Sequence, residues 1–234
     1  MIKGATNTSL KIGCFNARSI CNKVPAVLEL LTDNKVDICF LTESWLKVSD
    51  KAKYAEIREY GYNILSAPRK GCGGGVGFLF NPKTVDLKKH NVKSYKSFEV
   101  LEAVLKDQSE LIRLSVIYRT TQFTSKAKYA DTRRTLFYQE FTDYLEVLHT
   151  KPGRPIISGD FNFHMEDKNN IATKKFIDVY TSKGFTQHNT MPTHNDSILD
   201  LVLTSKAICD QVSITDLHVV DENVMLHCSL DFIC

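Results

Sequence analysis

Short apolar runs, each ended by turn residues, recur along the whole of this 234-residue sequence. Runs of this length and β-branched content are typical of buried strands, so the pattern favours a fold rich in β-sheet. It predicts strands at residues 10–15, 36–41, 62–66, 75–80, 98–105, 111–118, 155–159, 198–204 and 226–232.

Apolar side chains at helical spacing predict three helices between these strands. The stripes are Val24, Val27, Leu28 and Leu31, then Phe137, Phe141, Tyr144, Leu145 and Leu148, then Phe176, Val179 and Tyr180. Gly184 is placed to end the third helix. Loops are predicted at 69–75, 119–130, 164–170 and 188–197, and no repeat or change of composition marks a domain boundary. The expected fold is a single α+β domain over residues 1–234, with two sheets packed face to face and helices outside.

Composition narrows the class of protein. Hydrophobic residues make up 43% of the chain, enough for a continuous core. The net charge of +3 permits a polyanionic partner without requiring one. Seven cysteines without Cys-x-x-Cys spacing favour a reducing intracellular compartment and disfavour a zinc site. No stretch reaches the roughly 18 apolar residues of a membrane span, so the expectation is a soluble protein with no membrane partner.

Polar residues stand where apolar strands end. Asp160 and Asn162 follow one predicted strand and, being two residues apart, lie on the same side of the chain. The preceding Gly159 allows close approach of backbone or ligand. Alone, an Asp or Asn here is more often a turn former or a helix cap.

The same placement recurs at Asn16, Glu43 and Tyr118, each of which also has an ordinary structural interpretation. Asp200 lies inside an apolar run, where a carboxylate is unfavourable unless it is paired or bound to a cation. Because strands of one sheet can bring their ends together, five such placements in one chain favour a common site.

These residue types suit phosphodiester hydrolysis. Glu43 and an aspartate offer the hard oxygen ligands that Mg²⁺ prefers. Asp160 can orient and deprotonate a water molecule, while Asn162 and a histidine can donate hydrogen bonds to the charge that develops on phosphorus.

Seven short motifs carry a resemblance to a known family. They are FNARS from residue 15, LTESW from 41, IYR from 117, SGDFN from 158, PTH from 192, LDLVL from 199 and HCSLDF from 227. In this order the set resembles the endonuclease/exonuclease/phosphatase superfamily. Its spelling is most similar to the apurinic-endonuclease-like domain of non-LTR (LINE-type, chicken-repeat-like clade) retrotransposons.

The resemblance implies a fold and an activity. The fold is a deoxyribonuclease I-like, four-layer α/β/β/α sandwich with two mixed β-sheets between helices. The activity is a Mg²⁺-dependent (Mn²⁺ possible) endonuclease that nicks one strand of double-stranded DNA in the nucleus. The freed 3′-hydroxyl then primes a fused reverse transcriptase domain, which makes this chain the N-terminal piece of a longer polyprotein.

The resemblance also implies roles for individual residues. Glu43 is the principal metal ligand, with Asn16 beside it, and Thr193 lies near the DNA backbone. By the same resemblance, Tyr118 and His227 contact the scissile phosphate, and Asp160 activates the attacking water molecule. Asn162 holds the phosphate and positions Asp160, and Asp200 belongs to the inner polar network.

The last motif departs from the family. It normally reads Ser-Asp-His, whereas this chain has Met225-Leu226-His227. The missing aspartate orients the histidine and favours its charged form, so reduced activity is expected. Aligning the family's final histidine with His218 instead of His227 fits worse, because the HCSLDF strand then has no counterpart in the family pattern.

The segment 119–134 is the predicted DNA-contact loop. It contains five cations, Arg119, Lys126, Lys128, Arg133 and Arg134, against the single acid Asp131. Two other functions stay open: an abasic-site repair nuclease or phosphatase of the same superfamily, and a non-catalytic DNA-binding module.

Overall fold

The computed structural model describes residues 9–69, 71, 73–90, 93–107, 110–120, 127–205, 212–220 and 223–231. Twelve strands and four helices lie in these ranges. In chain order they are β1 Ser9–Asn16, α1 Val24–Asp33, β2 Ile38–Thr42, α2 Lys51–Glu59, β3 Asn63–Ala67, β4 Val76–Phe80, β5 Leu87–His90, β6 Glu99–Asp107, β7 Glu110–Tyr118, α3 Ala127–Thr150, β8 Arg154–Asp160, α4 Ile171–Ser182, β9 Phe185–Gln187, β10 Asp200–Ser205, β11 Val212–Val220 and β12 Asn223–Asp231.

The strands form two mixed sheets of six. The first has the order β11-β12-β1-β2-β4-β3, and the second β5-β6-β7-β8-β10-β9. β1 and β2 are parallel at the centre of one sheet, and β7 and β8 at the centre of the other. Parallel neighbours end at the same edge of a sheet, so the carboxyl ends of these four strands define the edge that bears the site.

Three apolar clusters separate the layers. Between the sheets, Ile12, Phe40 and Phe78 pack with Leu114, Val116 and Ile156. Outside the first sheet, the predicted stripe of α1 packs on Phe15, Cys39 and Leu41. Outside the second, aromatic residues of α3 and α4 pack on Ile117, Ile157 and Leu201. The four-layer α/β/β/α sandwich is therefore confirmed.

Most predicted elements are present, with shifted ends. The three predicted helices are α1, α3 and α4, and α4 is followed by Gly184 at a φ of 73°, as predicted. The sequence reasoning missed α2, β5, β9 and β11. The predicted loop at 119–130 is wrong at its end, because helix α3 begins at Ala127. No helix of the described residues has the length and apolar character needed to cross a membrane.

Candidate active site

The two sheets bring their polar strand ends to one cavity. In the first sheet Asn16, the last residue of β1, pairs with Thr42, so Glu43 follows immediately after. In the second sheet the register sets Tyr118 beside Asp160, and Asp160 opposite Asp200. These residues line a cavity of about 150 Å³ together with Arg18, Asn162, Thr193, His194 and Leu199.

Asn16 joins the two sheets at the floor of this site. Its side-chain Nδ2 donates to Glu43 Oε1 at 3.1 Å and to Asp160 Oδ2 at 2.8 Å. Its Oδ1 accepts the backbone N–H of Arg18 at 3.1 Å. One amide therefore fixes a carboxylate of each sheet, and the predicted metal contact of Asn16 stays a prediction.

Glu43 is held by hydrogen bonds on one of its two oxygens. Tyr118 donates its hydroxyl to Glu43 Oε1 at 2.9 Å, the same oxygen that accepts from Asn16. Burial and the adjacent Glu43 carboxylate raise the pKa of Tyr118, which keeps the phenol protonated as a donor. Glu43 itself has a φ of 49°, an uncommon conformation for a residue with a side chain.

Asp160 and Asp200 form a buried carboxylate pair. Burial, and then the neighbouring Asp200, raise the pKa of Asp160, although hydrogen bonds from Asn16 and from the backbone N–H of Asn162 oppose the shift. Burial, with Glu43 as a further repulsive charge, raises the pKa of Asp200 to about 6. Asp200 Oδ1 is buried and accepts no hydrogen bond from any described residue. This excess of negative charge is the electrostatic environment that a cation stabilises.

Arg119 and Asn162 hold each other by reciprocal hydrogen bonds. Arg119 Nη1 donates to the carbonyl oxygens of Phe161 and Asn162, both at 3.0 Å, and Asn162 Nδ2 donates to the Arg119 carbonyl at 2.7 Å. The guanidinium also lies 4.1 Å from the ring centre of Phe163 and 5.2 Å from that of Phe137. Burial lowers the pKa of Arg119 to about 10. These contacts give Arg119 a role in positioning the strand end; its contact with DNA stays a prediction.

Thr193 positions the start of β10. Its Oγ1 accepts the backbone N–H groups of Leu199 and Asp200, both at 3.1 Å, and the residue is buried. The sequence placed Thr193 near the DNA backbone, and the structure places it at the wall of the cavity.

Arg18 and His194 were missed as site residues. Both line the cavity, and Arg18 Nη2 lies 3.2 Å from His194 Nε2. Each stands inside a motif that the sequence reasoning had singled out, FNARS and PTH, so the motifs were the available signal.

The other predicted DNA-contact residues lie beside the site or outside the described ranges. Arg133 is exposed and lines a second cavity of about 310 Å³ with Arg69, Lys96 and Arg119. Lys128 belongs to the first turn of α3 instead of a loop, and Lys126 lies outside the described residues.

His227 belongs to β12, the strand that pairs with β1. The register sets His227 opposite Gly13 and Leu226 opposite Cys14. The alternative His218 lies in β11, which pairs with β12 and not with β1. The backbone therefore favours the final HCSLDF strand as the neighbour of β1, as the sequence alignment required, while the contact of His227 with phosphate stays a prediction.

The donor set of the cavity fits a hard divalent cation. Glu43, Asp160 and Asp200 supply carboxylate oxygens, the class of ligand that Mg²⁺ prefers. Within the described ranges no group of three or more His, Cys, Asp or Glu is close enough to form a metal cluster. Glu43 and Asp160 each accept a hydrogen bond from Asn16 instead of converging on one point. The predicted role of Glu43 as a metal ligand stays a prediction.

The comparisons with known proteins agree with this fold. The endonuclease domain of TRAS1, a telomere-specific non-LTR retrotransposon, superimposes with a TM-score of 0.72 at 10% identity, over 96% of this chain and 99% of that one. An AP endonuclease from Archaeoglobus fulgidus gives 0.70 at 16% identity, over 95% and 99%. The 3′ phosphatase NExo from Neisseria, bound to a product DNA hairpin, gives 0.69 at 18% identity, over 95% and 100%.

Among curated protein sequences none matches this chain significantly. The family model described as "Endonuclease/Exonuclease/phosphatase family" matches residues 13–221, from the middle of β1 to the end of β11. The chain therefore belongs to the endonuclease/exonuclease/phosphatase family.

Proposed function

We propose that this protein is a divalent-metal-dependent endonuclease that nicks one strand of duplex DNA. The observation that carries the proposal is the buried Asp160–Asp200 pair, linked through Asn16 to Glu43 at one cavity. A structural role alone gives no reason to bury two carboxylates opposite each other, because that arrangement destabilises the fold.

The residues of the cavity divide the chemistry of hydrolysis among them. Glu43 would hold a divalent ion, and Mg²⁺ or Mn²⁺ bound there would supply Lewis-acid stabilisation of the charge on the phosphoryl and leaving oxygens. Asp160 accepts a proton from the attacking water, whose oxygen forms the new bond to phosphorus. Burial and the neighbouring Asp200 raise the pKa of Asp160, which makes its carboxylate a stronger base than an exposed aspartate. The bond from phosphorus to O3′ breaks, and the leaving oxygen takes up a proton to give a 3′-hydroxyl and a 5′-phosphate.

The other polar groups orient these two carboxylates and the substrate. Asn162 fixes Asp160 Oδ1 through its backbone N–H at 2.9 Å. Tyr118 stays protonated and donates a hydrogen bond towards Glu43 or a phosphate oxygen. His227 is the proposed donor from β12, weakened because Leu226 stands where the family has an aspartate.

We infer further that the nick serves retrotransposition. The seven motifs and the likeness to the TRAS1 endonuclease domain support this assignment. In that setting the chain acts in the nucleus, and the new 3′-hydroxyl primes a fused reverse transcriptase domain.

Plasmid nicking tests the proposal. Supercoiled plasmid incubated with the protein and Mg²⁺ should give open circles that DNA ligase reseals, since ligase requires a 3′-hydroxyl and a 5′-phosphate. Asp160→Ala should abolish the nicking, and Asp86→Ala, which alters an exposed carboxylate that does not line the cavity, should not. Absence of open circles with either Mg²⁺ or Mn²⁺ at high protein concentration would contradict the proposal and leave a DNA-binding module.

The structural likeness to an AP endonuclease suggests a test of abasic DNA as a second substrate. A duplex with one abasic site is compared with the intact duplex of the same sequence. Equal cleavage of both supports a nickase of undamaged DNA, whereas cleavage confined to the abasic duplex assigns the protein to repair.

A further inference from the structure

Trp45 is an exposed aromatic residue beside the candidate metal ligand. It is the only tryptophan of the sequence and is 45% exposed, although its neighbours Ser44 and Leu46 are 0% and 1% exposed. A partner that covered the exposed part of the indole would gain the free energy of burying its apolar surface.

The backbone holds Trp45 in a conformation that side chains rarely adopt. Its φ is 54°, and that of Glu43 is 49°. Hydrogen bonds fix the segment on both sides: Trp45 N–H donates to the Gly74 carbonyl at 2.9 Å, and the Glu43 carbonyl accepts from Ser19 at 2.9 Å. A bulky residue at positive φ is strained, and such strain concentrates at functional sites.

The indole lies against a glycine turn. A Cβ added at Gly73 would lie 3.7 Å from Trp45 Nε1, an ordinary van der Waals distance, so the indole lies close to this glycine. Gly73 and Gly74 both have positive φ, 71° and 69°. The indole therefore lies beside Gly73, whereas a side chain added at Gly74 would meet Glu99 and Arg69 instead of the ring.

One carboxylate and several cations lie near the same turn. Glu99 accepts the backbone N–H of Gly75 at 2.7 Å and lies beside Arg69, which lines the 310 Å³ cavity with Lys96, Arg119 and Arg133. Two carboxylates border these four cations: Glu99 lies 3.5 Å from Arg69, and Glu140 accepts the backbone N–H of Lys96. The balance remains positive and suits a phosphate chain.

We propose that Trp45 is a stacking platform for a nucleotide of the bound DNA strand, next to the phosphate that is cut. The inference rests on the proposed function and names how its substrate is held. One residue, Ser44, separates Glu43 from Trp45, so their Cα atoms are at most about 7 Å apart. The stacked base or sugar therefore belongs to a nucleotide close to the scissile phosphate.

Tryptophan fluorescence tests the platform directly, because Trp45 is the only emitter of its kind. Asp160→Ala protein, which binds without cutting, is titrated with a short unlabelled DNA duplex in EDTA and again in Mg²⁺. Stacking should quench the emission in a saturable way, with the same midpoint as the fluorescence anisotropy of a labelled duplex.

Matched variants separate stacking from charge and from folding. Trp45→Ala should weaken DNA binding by about tenfold or more, since base–aromatic stacking contributes that much. Trp45→Phe keeps an aromatic ring and the same strained backbone conformation at a residue with a Cβ. Its DNA affinity should therefore lie within about threefold of that of the parent. Tyr60→Ala removes a similarly exposed ring, 42% exposed, at the end of α2 and should leave binding unchanged. Circular dichroism verifies that each variant is folded.

The failure of this proposal is distinct from failure of the nickase. Unchanged emission at DNA saturation, or equal binding by Trp45→Ala and the parent, overturns the platform and points to a protein partner on Trp45 and the exposed Val48. Quenching without plasmid nicking by the wild-type chain keeps the platform and contradicts the nickase. Absence of DNA binding by anisotropy overturns both.

Discussion

Asp160 and Asp200 lie directly opposite each other on the antiparallel strands β8 and β10. Both are buried, at 4% and 5% exposed, and Asp200 Oδ1 has no hydrogen-bond partner among the described residues. Like charges at paired positions of a sheet repel, so the native fold retains this pair at a loss of stability. Such a loss is expected at a site built to bind a cation.

Asp200→Asn should stabilise the metal-free protein at neutral pH. The pKa of Asp200 is raised from 3.8 to about 6, so burial of its charge is unfavourable above pH 6 and absent below about pH 4. Stability of the parent therefore falls as pH rises between these values, and the variant should gain up to about 3 kcal/mol at pH 7.5. Urea unfolding in EDTA at pH 7.5 and at pH 4 measures it.

Two controls accompany the Asp200 experiment. Asp86→Asn, at an exposed position, should change stability at neither pH. Mg²⁺ should reduce the difference in unfolding free energy between the parent and Asp200→Asn at pH 7.5, because the ion stabilises the parent more than the variant. An equal gain in stability from Asp200→Asn at pH 7.5 and at pH 4 would show that the gain does not come from removing a buried charge.

Gly159→Ala should unfold the protein or prevent it from folding. Gly159 has a φ of 142°, and a Cβ there would lie 2.0 Å from the carbonyl oxygen of Ile117 on the neighbouring strand. The clash sits inside the core beside Asp160, so a loss above about 3 kcal/mol is expected. Gly184→Ala, at a φ of 73° with open space around it, should lose only about 1 kcal/mol. Thermal unfolding compares them, and similar losses would refute the steric argument.

Arg119→Met should impair catalysis more than DNA binding. The variant keeps a long apolar stem but loses the hydrogen bonds to Phe161 and Asn162, so the Asp160 strand end loosens. We expect about 2–4 kcal/mol less stability and a fall of about tenfold or more in kcat. Arg58→Met, at an exposed position of α2, is the control. A rise in KM and a weaker salt dependence at unchanged kcat would instead assign Arg119 to DNA contact.

Leu226→Asp should raise the nicking rate. The change restores the aspartate that precedes the final histidine in the family, and it should favour the charged form of His227. Plasmid nicking measures the rate, with Leu226→Asn as a control that adds polarity without charge. Unaltered activity in a competent enzyme would mean that the last motif has been aligned wrongly.

Sequence reasoning found most of the strands and helices with long apolar faces. Three of the four elements that it missed are weakly apolar or very short, whereas β11, which reads VSITDLHVV, was missed despite its apolar residues. α2 buries only Ile57, and β5 only Leu87, so neither shows a hydrophobic period. β9 has three residues, too short for any pattern. Residues 127–130 were assigned to a loop together with the segment before them, whereas α3 is fixed by aromatic residues further along the helix.

The sequence by itself determined four polar strand ends, since Asn16, Glu43, Tyr118 and Asp160 stand at or next to the ends of apolar runs whatever the packing. Asp200 lies inside an apolar run of the sequence, and the structure makes it the first residue of β10. Only the tertiary structure decided what they touch. The Asn16 bridge spans 144 residues of sequence to reach Asp160, and the rings around Arg119 come from Phe137 and Phe163. The sequence around an arginine looks the same whether its side chain binds DNA or lies between aromatic rings. The exposed indole of Trp45 likewise depends on the turn at Gly73, because burial is a property of neighbours distant in sequence.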